Sequence, residues 1–443
     1  MDTSKNDILS IHVNTPGRLQ QKIQSENYCN QTCLEIKGEL NDEDVVYLGK
    51  WLKIHESISK MDFQATSGLL TIDHNAFGQC RCLKEIILPN GIRSIGDRAF
   101  EQCTSLESIK LPDTVESVGD RAFAGCEKLA SINIPGQTSY IGVGTFYGCY
   151  MLRKVEVDKN NDRYDFFGDI LFDKLDKTLL KYIPSKQVEG EFTTPQGVVH
   201  IGNYAFDGCN GLQCVNVNDG CTDLGERSFT KCLELKKIKL PSSFNHLSYN
   251  AFDGCEAFET IEVSEDNKTY TSVDGVLYSK DHLNLELCPK AKKSPFFFDE
   301  RTIRINEGAF AGCQNIHSIF LPQHLASIQS KAFDGCSSLT FVSIPSETKE
   351  IGSFAFANCS SLKNIWIYSS VPPKCGVSPF AAVKTSDCIL KVPIDSEIDY
   401  RKEYGWNGFK IINESLNLTL CSNFSQLRAL TLAFKKAKLR IFG

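Results

Sequence analysis

The sequence contains no apolar run near the ~18 residues that a helix needs to cross a bilayer. It has no excess of positive charge either. Lys and Arg number 48 against 54 Asp and Glu, a formal net charge of -6 that argues against nucleic-acid binding. The first residues, MDTSKNDILSIHVN, carry neither a basic segment nor an apolar core, so no signal peptide is recognised. A chain from which a signal peptide had been removed would look the same.

Motifs of catalysis are missing as well. The eight histidines have no recurrent partner, and HExxH, GxSxG, the P-loop and the dinucleotide fingerprint are all absent. Cys29 and Cys33 form an isolated CxxxC, whereas a zinc site would need a second pair at suitable spacing. We therefore predict no enzyme, no cofactor and no metal. An enzyme or glycan-acting protein whose site residues meet only in space stays an alternative.

The 443 residues do contain a regular repeat of cysteine. Hydrophobic residues make up 42% and charged residues 23%, as is typical of a soluble folded protein. Within three stretches, ten of the 19 cysteines are spaced 23 residues apart: Cys80, Cys103, Cys126, Cys149; Cys209, Cys232, Cys255; Cys313, Cys336, Cys359. A fixed period of this length indicates stacked structural repeats.

Each of these cysteines sits in the same frame. Ile or Val follows at +6 and Leu, Ile or Val at +8, which predicts a short half-buried strand. A Phe precedes each cysteine by three residues, and this AFxxC segment suits a single helical turn. In several copies an Ile or Val eight residues before the cysteine is followed by Gly, for which we expect a turn conformation barred to other residues. The Phe positions are 77, 100, 123, 146, 206, 229, 252, 310, 333 and 356.

Stacking places equivalent cysteines in one column. A buried column favours a small, apolar and adaptable side chain, so a packing role is the preferred interpretation. Metal binding is an alternative that needs converging ligands. Disulfides between successive repeats would have poor geometry, because the side chains run parallel.

The frame LxxIxLPxxVxxIGxxAFxxC resembles the BspA-type leucine-rich repeat of bacterial surface proteins, over roughly residues 72–412. The resemblance implies an α/β fold: a right-handed leucine-rich-repeat solenoid with a short strand and a short helical turn per rung, and capped ends. It also implies a secreted or cell-surface protein that adheres to host or other cells through a protein or glycan partner. A purely structural spacer remains a further alternative.

The resemblance implies that the chain consists of four segments. Residues 1–71 are expected to form an N-terminal cap with a first degenerate repeat, and 72–368 the repeats, with hairpin-like inserts near 158–195 and 264–300. Residues 369–412 would form a degenerate repeat and closing cap, in which Cys375 and Cys388 are either bonded or free. The basic tail, 413–443, allows either membrane-surface contact or a disordered or accessory role.

Side chains at +5 and +7 must point outward if those at +6 and +8 point inward. In the last three repeats these outward positions include Phe320, Phe341 and Trp366, an aromatic cluster of the kind enriched at binding interfaces. The alternative is that the closing unit or the tail covers the rings. The predicted binding face also includes three charged residues: Lys237, Lys239 and Glu262.

Overall fold

The computed structural model describes residues 7–25, 31–184 and 190–413, which form a solenoid of short strands and turns. Each regular repeat supplies one strand of three to five residues after its cysteine and one two-residue strand ahead of its AFxxC turn. Successive strands of each kind pair in parallel and advance by 23 residues, as Ser108 pairs with Ser131. The solenoid therefore has two rows of sheets.

The helices lie outside the regular repeats and the strands follow one another along the chain. The helices are α1 (Leu19–Ser25), α2 (Asp42–Leu52) and α3 (Glu397–Lys402), with a 3-10 turn at Thr385–Asp387. Up to the first insert the strands are β1 (Ile8–Val13), β2 (Cys33–Glu39), β3 (Lys60–Ser67), β4 (Thr71–Ile72), β5 (Glu85–Ile87), β6 (Ser94–Ile95), β7 (Ser108–Lys110), β8 (Ser117–Val118), β9 (Ser131–Ile134), β10 (Tyr140–Ile141) and β11 (Lys154–Val157). The first insert and second block contain β12 (Tyr164–Phe167), β13 (Ile170–Asp173), β14 (Thr178–Tyr182), β15 (Gly190–Thr193), β16 (His200–Ile201), β17 (Leu212–Asn216), β18 (Asp223–Leu224), β19 (Lys237–Leu240), β20 (His246–Leu247) and β21 (Thr260–Val263). The second insert and third block contain β22 (Tyr270–Val273), β23 (Val276–Ser279), β24 (Asn284–Leu287), β25 (Arg304–Ile305), β26 (Ser318–Phe320), β27 (Ser327–Ile328), β28 (Phe341–Ile344), β29 (Glu350–Ile351), β30 (Asn364–Ile367), β31 (Lys374–Cys375), β32 (Ile389–Val392) and β33 (Lys410–Asn413).

Three sheets form the row that we call the front. Their strand orders are β1-β2-β3-β5-β7-β9-β11 for front sheet 1, β15-β17-β19-β21 for front sheet 2 and β26-β28-β30-β32-β33 for front sheet 3. The back row consists of β10-β8-β6-β4, then β12-β13-β14-β16-β18-β20, then β22-β23-β24-β25-β27-β29-β31. Three hydrophobic cores run between the rows, from Leu9 to Ile183, from Ile170 to Leu287 and from Val276 to Ile411.

The phenylalanines form stacked columns inside these cores. Phe123 is fully buried, and its ring centroid lies 5.4 Å from that of Phe100 and 6.2 Å from that of Phe146. The first insert continues the column with a different residue, since Tyr182 lies 5.2 Å from Phe206. The columns are thus continuous within each block, and at the first insert a tyrosine takes the place of a phenylalanine.

The prediction of a helical turn in each repeat is wrong. The AFxxC segments are successive hydrogen-bonded turns, and the chain is mostly strand and turn. Left-handed residues break any helix there: Arg98 has φ 56° and Gln102 has φ 62°. This conformation lets the amide of Phe100 donate to the carbonyl of Ala122 in the next repeat at 2.8 Å. The right-handed course of the solenoid stays a prediction.

The glycine after Ile or Val does not supply a left-handed turn. Gly119 is absent from the positions with positive φ. A Cβ there would lie 2.6 Å from the amide nitrogen of Asp97 and 2.7 Å from the carbonyl carbon of Gly96. Glycine is required because the backbones of adjacent repeats approach too closely for a side chain. Left-handed glycines instead directly precede six of the ten repeat cysteines, as Gly125 does with φ 74°.

Both inserts are antiparallel three-stranded units that join the back row. In the first, β12, β13 and β14 pair antiparallel and β14 then pairs in parallel with β16; β22, β23, β24 and β25 repeat this order. A buried asparagine fixes each insert to the preceding turn. Asn161 donates to the carbonyls of Pro135 (2.7 Å) and Thr138 (2.9 Å) and accepts from the amides of Arg163 (3.0 Å) and Tyr164 (2.6 Å). Asn267 makes the equivalent four bonds in the second insert.

Helix α2 packs into the first core and Trp406 into the third. Helix α2 starts with a capping box in which Asn41 and Asp44 exchange side-chain and backbone hydrogen bonds. At the other end Trp406 is fully buried, 5.3 Å from the ring of Phe380, and its indole donates to the carbonyl of Pro373 at 2.9 Å. Among the described residues no helix is long and apolar enough to cross a membrane.

Candidate binding surface

The cysteine column packs in the core and also donates hydrogen bonds. In seven repeats the thiol lies 2.9–3.2 Å from the backbone carbonyl of the Phe one repeat earlier. The three cysteines that begin a block have no such Phe carbonyl, and they make only longer contacts, such as 3.6 Å from Cys80 to Gly49. Burial raises the pKa of Cys80 and of Cys149 to about 12, so these thiols stay protonated at neutral pH.

Neither a disulfide nor a metal site formed by the cysteines is seen in the described part of the chain. All of its cysteines are free thiols, including Cys375 and Cys388. Within the same residues no three His, Cys, Asp or Glu side chains are arranged to hold a metal ion. Cys33 is half-buried, and Cys29, the other half of the CxxxC pair, lies outside the described residues.

Front sheet 3 carries the three predicted aromatic residues on its outer surface. Phe320, Phe341 and Trp366 belong to the adjacent strands β26, β28 and β30, and each is half-buried. The centroids of Phe320 and Phe341 are 5.1 Å apart, and those of Phe341 and Trp366 are 5.0 Å apart in an edge-to-face arrangement. The rings therefore form one contiguous cluster, which we call the aromatic patch.

The strand register explains this contiguity. Ser343 pairs with Phe320 on one side and with Trp366 on the other, while Phe341 belongs to the neighbouring column of outward positions. The three rings thus follow a zigzag across three strands and meet along its diagonals. Ser343 lies among them and is only 2% exposed.

The closing unit extends the sheet beside the patch. Strands β32 and β33 add Ile389, Lys391, Lys410 and Ile412 to the outward columns. The ammonium group of Lys391 lies 5.1 Å from the centre of the Trp366 ring, a cation–π contact. Trp406 points into the core instead, and the basic tail lies outside the described residues.

The three predicted charged residues lie on front sheet 2, apart from the patch. Lys237 pairs with Glu262 at 2.6 Å, and Lys239 lies 3.5 Å from Glu191. The hydrogen bond that Lys237 donates to Glu262 raises the pKa of the lysine, although its side chain is partly exposed to solvent. These charges largely neutralise one another. They lie on a different sheet from the aromatic patch, so the structure does not bring the two sets of residues together.

A groove that the sequence did not predict lies on front sheet 1. It encloses about 440 Å³ and is lined by Glu85, Ile87, Lys110, Asn133 and Glu156 among others. Asn133 is engaged with the backbone, since its amide exchanges two 2.8 Å hydrogen bonds with Leu111. The outward positions of the repeats could have indicated these residues, but their mixed polar character resembles that of any solvated strand.

Comparison with solved structures finds several bacterial leucine-rich-repeat proteins. The chain is similar to a leucine-rich repeat protein of Eubacterium ventriosum (20% identity, TM-score 0.40, covering 88% of this chain and 81% of that one). It is also similar to a leucine rich cell surface protein of Faecalibacterium prausnitzii (21%, 0.40, 92% and 82%). A third is a leucine-rich repeat protein of Bacteroides ovatus (25%, 0.32, 78% and 88%). No curated protein matches the chain.

The family model that matches describes the BspA type leucine rich repeat region. It is found in six copies, over residues 55–174, 186–280 and 288–404, which together make up more than half of the chain. These residues include all ten cysteine-centred repeats, and they leave out β14 and β24, the last strand of each hairpin insert. The chain belongs to the BspA-type leucine-rich-repeat family.

Proposed function

We propose that this chain is a non-enzymatic protein of the cell surface or the extracellular space that binds another protein through the aromatic patch of front sheet 3. The observation that carries the proposal is the contact between three half-exposed rings on three adjacent strands. Outward positions elsewhere on the front sheets are mainly polar, so the patch is not a requirement of the repeat.

Physical chemistry supports this role. Clustered aromatic side chains offer a large apolar contact area and lose little conformational entropy on binding. Strands β28 and β30 are paired in parallel on both sides and the edge strand β26 on one side, so the surface is preorganised. The family is typical of bacterial surface proteins, and adhesion to host or neighbouring cells is the activity that we propose for this surface.

The proposal is tested by binding the full chain to immobilised matrix proteins, mucins and protein-free glycans. A variant with Phe320→Ser, Phe341→Ser and Trp366→Ser is measured in parallel. The matched control carries Ile87→Ser, Lys110→Ser and Lys154→Ser at outward positions of front sheet 1. Thermal unfolding shows whether both variants keep the wild-type fold.

We expect a protein of the panel to bind the wild type and the control, and to bind the aromatic variant at least about tenfold more weakly, as at interface hot spots. Equal binding by a folded aromatic variant would place the site elsewhere, for example in the groove of front sheet 1. Retention of glycans alone would contradict a protein partner.

A further inference from the structure

Backbone hydrogen bonds join each regular AFxxC turn to the next one. The amides of Arg98, Phe100 and Gln102 donate to carbonyls of the following repeat at 2.7–2.8 Å. The turns around Phe123 and Phe206 repeat this pattern. The turn at the end of a block has no regular repeat after it, so its amides need other acceptors.

The first insert supplies a rung that is too short to accept these bonds. Its residue Leu179 pairs with Ile201 and stands three positions before Tyr182, the insert's member of the ring column. In the following repeat Ile201 stands five positions before Phe206. The insert therefore lacks two residues of the turn, and with them the carbonyls that would face the last turn of the first block.

Two amides of that last turn are left without an acceptor. The amide of Gly148 donates to the side chain of Asp207 at 2.7 Å, whereas those of Gly144 and Phe146 have no acceptor within the described residues. A cleft of about 250 Å³ lies between this turn and the insert, and Gly144 and Phe146 both line it. We call it the insert cleft. Because the corresponding amides of the regular turns point toward the next rung, these two N–H groups face the cleft.

A buried lysine lines the insert cleft from the side of the insert. Lys181 is 6% exposed, and its ammonium group donates to the carbonyls of Tyr204 (3.4 Å) and Asp207 (3.2 Å). An ammonium group has three donor hydrogens. Within the described ranges of the chain no carboxylate forms an ion pair with Lys181, and the third donor is not used.

The second insert shows that the fold does not require this lysine. Tyr182 of the first insert corresponds to Cys288 of the second, because each donates its amide to the alanine before the next Phe of the column, at 2.7–2.8 Å. Lys181 therefore corresponds to Leu287, which is 7% exposed. Burial of an ammonium group in place of a leucine costs free energy, and a ligand of opposite charge would offset that cost.

The rest of the insert cleft is largely apolar. The rings of Tyr147 and Tyr204 lie 4.8 Å apart, and Ile141 and Leu180 also line the cleft. None of the described residues that line it is acidic. Pockets for drug-sized ligands enclose about 300–1,000 Å³, so this cleft suits a smaller molecule. The lining fits a molecule with an anionic group and a small apolar or aromatic body.

We propose that the insert cleft binds a small carboxylate with an aromatic or apolar group, at a site separate from the aromatic patch. The carboxylate accepts hydrogen bonds from the amides of Gly144 and Phe146 and from the ammonium group of Lys181. The apolar part lies against the rings of Tyr147 and Tyr204. The first insert thus creates a ligand site where it interrupts the hydrogen bonds between repeats.

The test uses phenylacetate as the probe and phenylacetamide as an uncharged molecule of nearly the same shape. Isothermal titration calorimetry of the full chain gives both affinities. The site variant is Lys181→Leu, which introduces the residue type of the second insert. The control makes the same substitution at Lys177, an exposed residue of the first insert. Thermal unfolding shows whether both variants are folded.

We expect phenylacetate to bind at least about tenfold more tightly than phenylacetamide, because charge-assisted hydrogen bonds are stronger than neutral ones. Lys181→Leu should weaken phenylacetate binding at least about tenfold, and Lys177→Leu should leave it unchanged. Equal affinities for the two probes would overturn the inference, as would unchanged binding by a folded Lys181→Leu variant. Absence of binding at about 10 mM phenylacetate would overturn it as well.

Hydrogen exchange of the wild-type chain tests the site without a variant. Peptides from residues 141–149 contain the amides of Gly144 and Phe146. Peptides from residues 247–255 contain the corresponding turn before the second insert, which has Leu287 in place of Lys181. Saturating phenylacetate should slow exchange in the first turn and leave the second unchanged. Unchanged exchange in the first turn, or equal slowing in both, would contradict the assignment.

Discussion

At the scale of the residue, the cysteine column shows what a period can and cannot predict. Burial of a small adaptable side chain followed from the 23-residue spacing of Cys103 and Cys126 alone. The spacing does not predict the hydrogen bond from the Cys126 thiol to the carbonyl of Phe100, at 3.2 Å, because this bond depends on how successive turns are positioned relative to one another. The thiol therefore fills space and also gives the Phe100 carbonyl a second donor, beside the amide of Cys103 at 3.1 Å.

Replacement of Cys126 should separate these two roles. We expect Cys126→Ala to lower the free energy of unfolding by about 2 kcal/mol, because it leaves a small cavity and removes one of the two hydrogen bonds to the Phe100 carbonyl. Cys126→Ser keeps a donor and should cost less than Cys126→Ala. Urea denaturation of the two variants measures the difference, and a serine variant that is the less stable of the two would contradict the role of the thiol as donor.

The buried thiols should also make stability depend on alkaline pH. Burial raises the pKa of Cys126 well above the ordinary 9.0 and that of Cys149 to about 12. Stability is therefore complete below pH 9, where the thiols are protonated in both states. It falls above pH 9, where only the unfolded chain loses these protons, by at most ~1.4 kcal/mol per pH unit for each thiol. Urea denaturation between pH 8 and pH 10 tests this, and a flat profile would contradict it.

At the scale of the element, a buried asparagine ties each insert to the turn before it. Asn161 is 3% exposed and makes four hydrogen bonds to backbone groups of the insert and the preceding turn. Further hydrogen bonds connect the first insert with the blocks on either side of it. Lys181 of the insert donates to the carbonyl of Asp207 (3.2 Å), and the Asp207 side chain accepts from the amide of Gly148 in the first block (2.7 Å). These contacts replace the backbone bonds that a regular repeat would supply.

Loss of the asparagine should loosen its hairpin. We expect Asn161→Ala to cost about 3 kcal/mol, since several buried backbone groups lose their partner. Hydrogen exchange should accelerate across β12, β13 and β14 before the rest of the chain opens. The neighbouring exposed residue provides the control, and Asn160→Ala should leave the exchange pattern unchanged. Similar protection in both variants would show that the hairpin is held by other contacts.

The elements also show where prediction from sequence fails. The strands follow from alternating apolar residues, which burial of one face requires. The turns do not follow from the sequence, because Arg98 and Gln102 adopt left-handed conformations that neither residue type favours. Their amides donate hydrogen bonds to the next repeat, which help to stabilise these conformations. In the same way, the sequence predicts the aromatic patch from its outward positions, but the contact between the rings depends on the register of β26, β28 and β30.

At the scale of the whole molecule, stability is distributed over neighbouring repeats. Each core consists of residues that contact only adjacent rungs, as in the column formed by Phe100, Phe123 and Phe146. A defect should therefore weaken its own block first. The two inserts interrupt the regular rungs and mark the places where one block ends and the next begins.

Phe123→Ala should reveal this organisation. The ring is fully buried between two others, so its removal is expected to cost roughly 3–5 kcal/mol. Hydrogen exchange should rise in the neighbouring rungs of the first block and stay at the wild-type level in the third. Phe167→Ala, at a residue that is 38% exposed, is the control. Native thermal unfolding of the Phe123 variant would refute the role of the stacked column.

The central claim, that a protein partner covers the aromatic patch, can be tested through tryptophan fluorescence. The chain has three tryptophans. Trp51 and Trp406 are 5% and 0% exposed, whereas Trp366 is half-buried within the patch. The measurement is acrylamide quenching of the full chain with and without a saturating protein ligand. Our account predicts that the ligand protects a quenchable fraction that Trp366→Phe removes. Saturating binding that leaves the quenching of Trp366 unchanged would contradict it.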